Sequence, residues 1–178
     1  MNNKDQLTSK NLILITGQRS YTYSQMHVLI VELALLGPLK LLIGGNRYDH
    51  YGINYALAAR SSRYEHILKE HIFLSRAETC YQMVELLIQT QADHRPSLVL
   101  DILATFHDEG VPEREINQLL FEAISALRRL SQLATVVVSA CLGQNRPHLL
   151  NALEKAVDRV EYPPMEPPEA IHQYNLSE

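Results

Sequence analysis

NLILIT, residues 11–16, is a short aliphatic run rich in β-branched side chains that stops at Gly17, and it reads as a buried strand entering a turn. The period then changes: Met26, Leu29, Ile30 and Leu33 recur at helical spacing across 23–36, and Gly37-Pro38 ends the pattern by withdrawing side-chain support and a backbone donor. The same alternation continues to the end of the chain. LKLLIG (39–44) is a second strand, followed by helical patterns through Ile53, Leu57 and Arg60 and around 64–69. HIFLS (71–75) is a third strand, 78–91 a helix, and SLVLDI (97–102) a fourth strand. From near Pro112, Ile116, Leu119, Leu120, Ala123, Ile124, Leu127 and Leu130 trace one long amphipathic helix, with Arg128 and Arg129 off the apolar stripe. ATVVVSA (134–140) is a fifth strand, 147–157 a helix and 159–162 a short last strand. Strands that are apolar on both faces and alternate with helices need helices above and below them, so the expectation is a three-layer α/β domain around a largely parallel sheet. Such a sheet places ligands at the carboxyl ends of its strands, here the loops 17–24, 44–49, 75–79, 101–109 and 139–146.

Composition narrows the classes. With 46% hydrophobic and 20% charged residues the chain is globular in composition, and residues 1–162 are expected to form one core domain. Residues 163–178, PPMEPPEAIHQYNLSE, carry proline and little apolar pattern and are expected to be a disordered tail. A net charge of −4 without a basic block offers nucleic acid or an anionic membrane no global attraction. Cys80 and Cys141 stand far apart with no metal-binding spacing, the opening MNNKDQLTSK has no apolar leader core, and no apolar run approaches the length of a membrane helix. The expectation is a cytoplasmic protein with no membrane contact.

Two motifs carry possible chemistry. GQRSYTYS (17–24) lies where a strand-to-helix phosphate loop would lie, because amides at a helix N-terminus cradle anions. The pattern for such a loop is Gly, four residues, Gly, Lys, then Ser or Thr. Gly17 and Ser24 fit it, but Thr22 stands for the second Gly and Tyr23 for the Lys that would neutralise the β/γ-phosphates. Arg19 and Arg47 are the cations left to replace it. The second motif is Asp101 at the end of an apolar strand, where a P-loop enzyme holds magnesium; a strand-end aspartate equally well turns or caps a chain.

Taken in order, these segments resemble the core of RecA-superfamily recombinases, most of all the RadA-type branch, over about residues 11–145. HIFLSRAETCYQ, with Arg76-Ala77 and Gln82, LVLDILAT, the run LLFEAISALRRLSQLATVVVSA and GGNRYDHYGINYALAAR each resemble a segment of that core. The resemblance implies a RecA-like P-loop NTPase fold, and the departures fall on its chemistry. The family's water-orienting acid after the second strand corresponds to Asn46, which cannot serve as a carboxylate base, and its γ-phosphate-sensing glutamine corresponds to Cys141. The family's second DNA loop is reduced to LGQNRPH, with Arg146 and His148 as its cations, and the expectation is that the segment through which the recombinases polymerise does not precede the first core strand at 11–16.

The expectation is therefore a catalytically degenerate RecA-like protein acting as a binding or assembly module, linked through the resemblance to DNA recombination or repair. It has no required cofactor and assembles with itself or another protein. The alternative is a divergent nucleotide-binding protein or weak NTPase that holds ATP and magnesium through Gly17, Arg19, Thr22, Tyr23, Ser24, Asn46, Arg47, Asp101 and Cys141, with Ser24 and Asp101 on the metal. A third reading places single-stranded DNA on Tyr21, Tyr23, Tyr48 and Tyr51 with Arg146, although tyrosines at such loops equally well pack. His107-Asp108-Glu109 invites a metal, but adjacent loop residues rarely converge on one ion, and Ser24, Ser75 and Ser139 lack a nucleophile-elbow context.

Overall fold

Each core strand buries both of its faces, and alternate residues go to opposite layers. Leu12 and Leu14 of β1 (Leu12–Gly17) pack on one side while Ile13 and Ile15 pack on the other. The same split holds for Val99 against Leu98 and Leu100 in β4 (Ser97–Leu100), and for Val136 and Val138 against Val137 in β5 (Val136–Cys141). The computed structural model describes residues 11–45, 48–143 and 145–164. Among them, six strands form one sheet in the order β3-β2-β4-β5-β1-β6, every neighbouring pair parallel. β2 is Leu39–Gly44, β3 Ile72–Ala77 and β6 Arg159–Glu161.

Helices α1 (Arg19–Leu36), α2 (His50–Ala58) and α3 (Tyr64–Glu70) cover one face through Met26, Ile30, Ile53, Leu57 and Ile67. Helices α4 (Cys80–Gln89), α5 (Glu113–Ser131) and α6 (Pro147–Ala156) cover the other through Met83, Leu87, Leu120, Leu127 and Leu149. The protein is a three-layer α/β domain with a wholly parallel sheet. The chain steps from β1 to β2 and β3 along one face, then returns to β4, β5 and β6 along the other, as right-handed crossovers require when the direction of travel reverses. The connections after β1 and β5 therefore diverge to opposite faces although Gly17 and Cys141 lie side by side in register. That divergence opens a crevice at the carboxyl edge.

Local signals place most boundaries. Gly37 ends α1 and donates its N–H to Leu33 O, and Asp49 caps α2 by accepting from Gly52 N–H at 2.8 Å. Thr79 caps α4 by accepting from Gln82 N–H, while the Gln82 side chain accepts from Glu78 N–H. α5 carries Glu113 and Glu115 in its first turn and Arg128 and Arg129 in its last, the polarity that its dipole favours. No helix among the described residues is long and apolar enough to cross a membrane. The expectation of a disordered tail falls, from residue 165 onward, outside the described residues; Pro163 and Pro164 are described.

Three sequence readings change. The helix expected from Tyr23 begins at Arg19, and Ile102–His107 forms a short 3-10 helix that buries Ile102, Leu103 and Phe106 where a strand-end loop was expected. β3, read as fully buried, is the edge strand, and it exposes Phe73 and Leu74.

At the opposite end of the sheet β2 carries a buried cation. Lys40 is 6% exposed, donates to Gln91 O and pairs with Asp93 at 2.8 Å; Arg95 binds the same carboxylate at 2.6 Å. The Arg95 hydrogen bonds, supplemented by Lys40, hold the Asp93 carboxyl well below the usual carboxylate range. This stabilisation is complete above the unfolded carboxyl value, near pH ~4, and is lost as pH falls through the lower folded value. Asp93→Asn is expected to cost about 1.5–3 kcal/mol in urea unfolding at neutral pH, a gap that narrows as the acid range is entered.

Candidate functional site

The connection from β1 to α1 is one residue, Gln18. Its backbone is extended and its carbonyl accepts Thr22 N–H at 3.1 Å, so α1 is already winding at Arg19. Thr22, Tyr23 and Ser24 thus ride on the first turns of a helix and line no loop. Thr22, 1% exposed, donates its hydroxyl to Arg19 O at 3.0 Å and sits 3.2 Å from Cys141 Sγ. The physical reason is local: between Gly17 and Tyr23 nothing holds the chain out of the helix, because the position that needs a second glycine holds Thr22. Gly17 is hemmed in as well, since a Cβ there would lie 2.8 Å from Cγ of Pro163. Tyr21 ties that corner down by donating to Tyr162 O at 3.0 Å.

Asp101 ends β4 in the left-handed region, at φ 46° and ψ 54°, a conformation that aspartate tolerates better than most residues. It is 6% exposed. Its N–H donates to Ser139 Oγ at 2.9 Å, and its Oδ1 accepts Cys141 N–H across a long 3.4 Å. β2 passes so close that a Cβ on Gly44 would stand 2.5 Å from Asp101 O and 3.1 Å from Leu100 O. Burial, helped by the Asp101 charge, pushes the Cys141 thiol up in spite of the opposing Thr22 hydroxyl and Arg19 guanidinium. Cys141 is therefore a protonated thiol at neutral pH. Burial likewise lowers His107, with Arg146 adding to the effect and Asp101 opposing it, so the ring is neutral there.

Two cavities of about 250 Å³ meet at Asp101. The polar one is lined by Arg19, Gly44, Gly45, Asp101, His107 and Cys141, among others. The other lies between α1, α2 and the sheet and includes Tyr23, Ser24, Tyr48, Asp49 and Ser139. Gly17 faces neither; with Gln18, Ser20 and Tyr21 it borders a wider groove of about 550 Å³ against Tyr162 and Pro163. Asn46 and Arg47 lie outside the described residues. Of the residues singled out from sequence, Arg19, Asp101 and Cys141 thus share one cavity, Tyr23, Ser24 and Asp101 share the second, and Thr22 packs between α1 and Cys141.

Arg146 does not face outward as a DNA-loop cation. It donates to Phe106 O at 2.8 Å, Asp108 O at 3.0 Å and Val111 O at 3.0 Å, and pairs with Glu113 at 3.1 Å, clamping the segment that follows the 3-10 helix. His148 pairs with the same glutamate at 2.5 Å. Among the described residues no three His, Cys, Asp or Glu side chains stand close enough together to hold a metal ion. Sequence reasoning placed Gly44, His107 and Ser139 on the strand-end loops and weighed the last two only as a metal ligand and a nucleophile. Their places beside Asp101 follow from strand order, which no local signal carries.

The sequence matches no family model and no curated protein. Gly44→Ala is expected to force the β2 and β4 ends apart, because the atom met is backbone oxygen, and to lower stability by about 1–3 kcal/mol in denaturant unfolding.

Proposed function

We propose that the chain is a RecA-like domain that has given up nucleotide hydrolysis and works as a binding or assembly module. The observation that carries this reading is the one-residue connection from β1 to α1, which leaves no loop to wrap a polyphosphate. In the resemblance, the phosphate loop, the magnesium aspartate and the γ-phosphate sensor come together at the carboxyl edge. The corresponding Arg19, Asp101 and Cys141 do line one cavity, which supports the correspondence. What they offer there is a protonated thiol for a glutamine and a carboxylate already engaged by Cys141 N–H. Losing one placed electrostatic donor costs on the order of 10²–10³ in rate, and here several are missing together. The open edge of β3, with Phe73 and Leu74 exposed, supports the assembly half of the proposal.

A second reading, nucleotide retention without hydrolysis, is favoured by one feature: Arg19 lines the same cavity as Asp101, so a cation remains where a phosphate would arrive. Isothermal titration with ATP and with ADP, each with magnesium, separates the two. The module reading expects no saturable heat. Saturable binding weakened by Arg19→Ala and Asp101→Ala would select the second reading, and ATP hydrolysis abolished by Asp101→Ala would overturn the first.

A further inference from the structure

We propose that the polar cavity at the carboxyl edge is a binding site for a short amino acid, held by its ammonium on Asp101 and by its carboxylate on Arg19. Four side chains that can carry charge line this cavity: Arg19, Asp101, His107 and Cys141. Arg19 is a permanent cation and Asp101 the carboxylate, whereas burial keeps the Cys141 thiol and the His107 ring neutral at neutral pH. Arg146 adds nothing to this count, because it lies outside the lining and is engaged by three carbonyls and Glu113.

Cys141 stands between the two charges. Its N–H reaches Asp101 Oδ1 across 3.4 Å, and the Arg19 guanidinium lies near enough to its thiol to oppose the upward shift that burial causes. Among the described residues neither Arg19 nor Asp101 takes part in an ion pair. A cation and an anion thus border one hollow without pairing. A ligand with a single charge would satisfy one of them and be repelled by the other. A zwitterion satisfies both, through charge-assisted hydrogen bonds at each end. The forked guanidinium suits a carboxylate, and an ammonium brings three donors to an aspartate whose one printed contact is long.

Burial sets the direction of entry. Asp101 and Gly44 are buried at the floor, whereas Arg19, Ala104 and Gly143 are exposed around the opening. The ammonium therefore goes in first and the carboxylate stays at the mouth, where α1 begins and the positive end of its dipole adds to the attraction. Size sets the length. The cavity, about 250 Å³, falls below the ~300–1,000 Å³ of pockets for drug-sized ligands. The two charges flank a single residue, a span that a few carbons between ammonium and carboxylate cover. The inference goes beyond the module reading and shares its cavity with the nucleotide reading, so its test runs without nucleotide and with EDTA, and each can fail alone.

The full chain is titrated calorimetrically with glycine, β-alanine and γ-aminobutyrate, against propylamine and propionate as the single-charge controls. The best of the three amino acids is expected to saturate, and both controls to bind about tenfold more weakly or less. Its addition is expected to move the backbone amide resonances of Gly45, Cys141 and Gly143. Arg19→Gln and Asp101→Asn are each expected to weaken it about tenfold, whereas Arg19→Lys, which keeps the charge, retains most of the affinity. Thermal unfolding checks that the variants fold, and exposed Arg19 gives a substitution that leaves the core untouched. Saturation by none of the three, a control binding as tightly as the best of them, affinity indifferent to Arg19→Gln, or resonances that move only elsewhere would each overturn the proposal.

Discussion

A single residue, Gln18, lies between the first strand and the first helix, and the carboxyl edge is organised by that economy. Because α1 winds immediately from Arg19, its opening turn lies against the end of β5, and Thr22 reaches Cys141 Sγ. The space that a longer connection would fill is divided instead. One hollow opens toward β2 and the 3-10 helix, another lies under α1 and α2, and a groove runs outside Gly17 against Pro163. A parallel sheet ends all its strands at one edge, so what the domain can bind depends on how the chain leaves that edge.

Asp101 is the residue that the two inner cavities share. Its left-handed backbone turns β4 into the 3-10 helix, its N–H is held by Ser139, and its carbonyl is the atom against which Gly44 packs. The segment beyond it is then fastened from a distance by Arg146, whose guanidinium gathers three carbonyls. Beside Asp101, at the position that the resemblance gives to the γ-phosphate sensor, stands the half-buried, protonated thiol of Cys141.

The layer architecture was legible because it rests on patterns that span many residues. Apolar strands such as NLILIT and ATVVVSA, separated by helical periods, admit few other arrangements. The exceptions have physical causes. Phe73 and Leu74 look like core from their neighbours, and only the strand order makes β3 an edge. Ile102–His107 is too short for a period to declare itself. The Arg146 clamp joins residues 35 to 40 positions apart through backbone carbonyls, which carry no residue-type signal. At 17–24, Gly17 and Ser24 matched the ends of a phosphate loop while the residues between them were free to wind, and hydrogen bonding decided for the helix.

The most direct test of the account is nuclear magnetic resonance of the backbone at residues 18–24, with and without magnesium ATP. Helical carbon shifts beginning at Arg19 and unmoved by the nucleotide are the predicted result. Loop-like shifts in this segment that reorganise when magnesium ATP is added would contradict the account at its root.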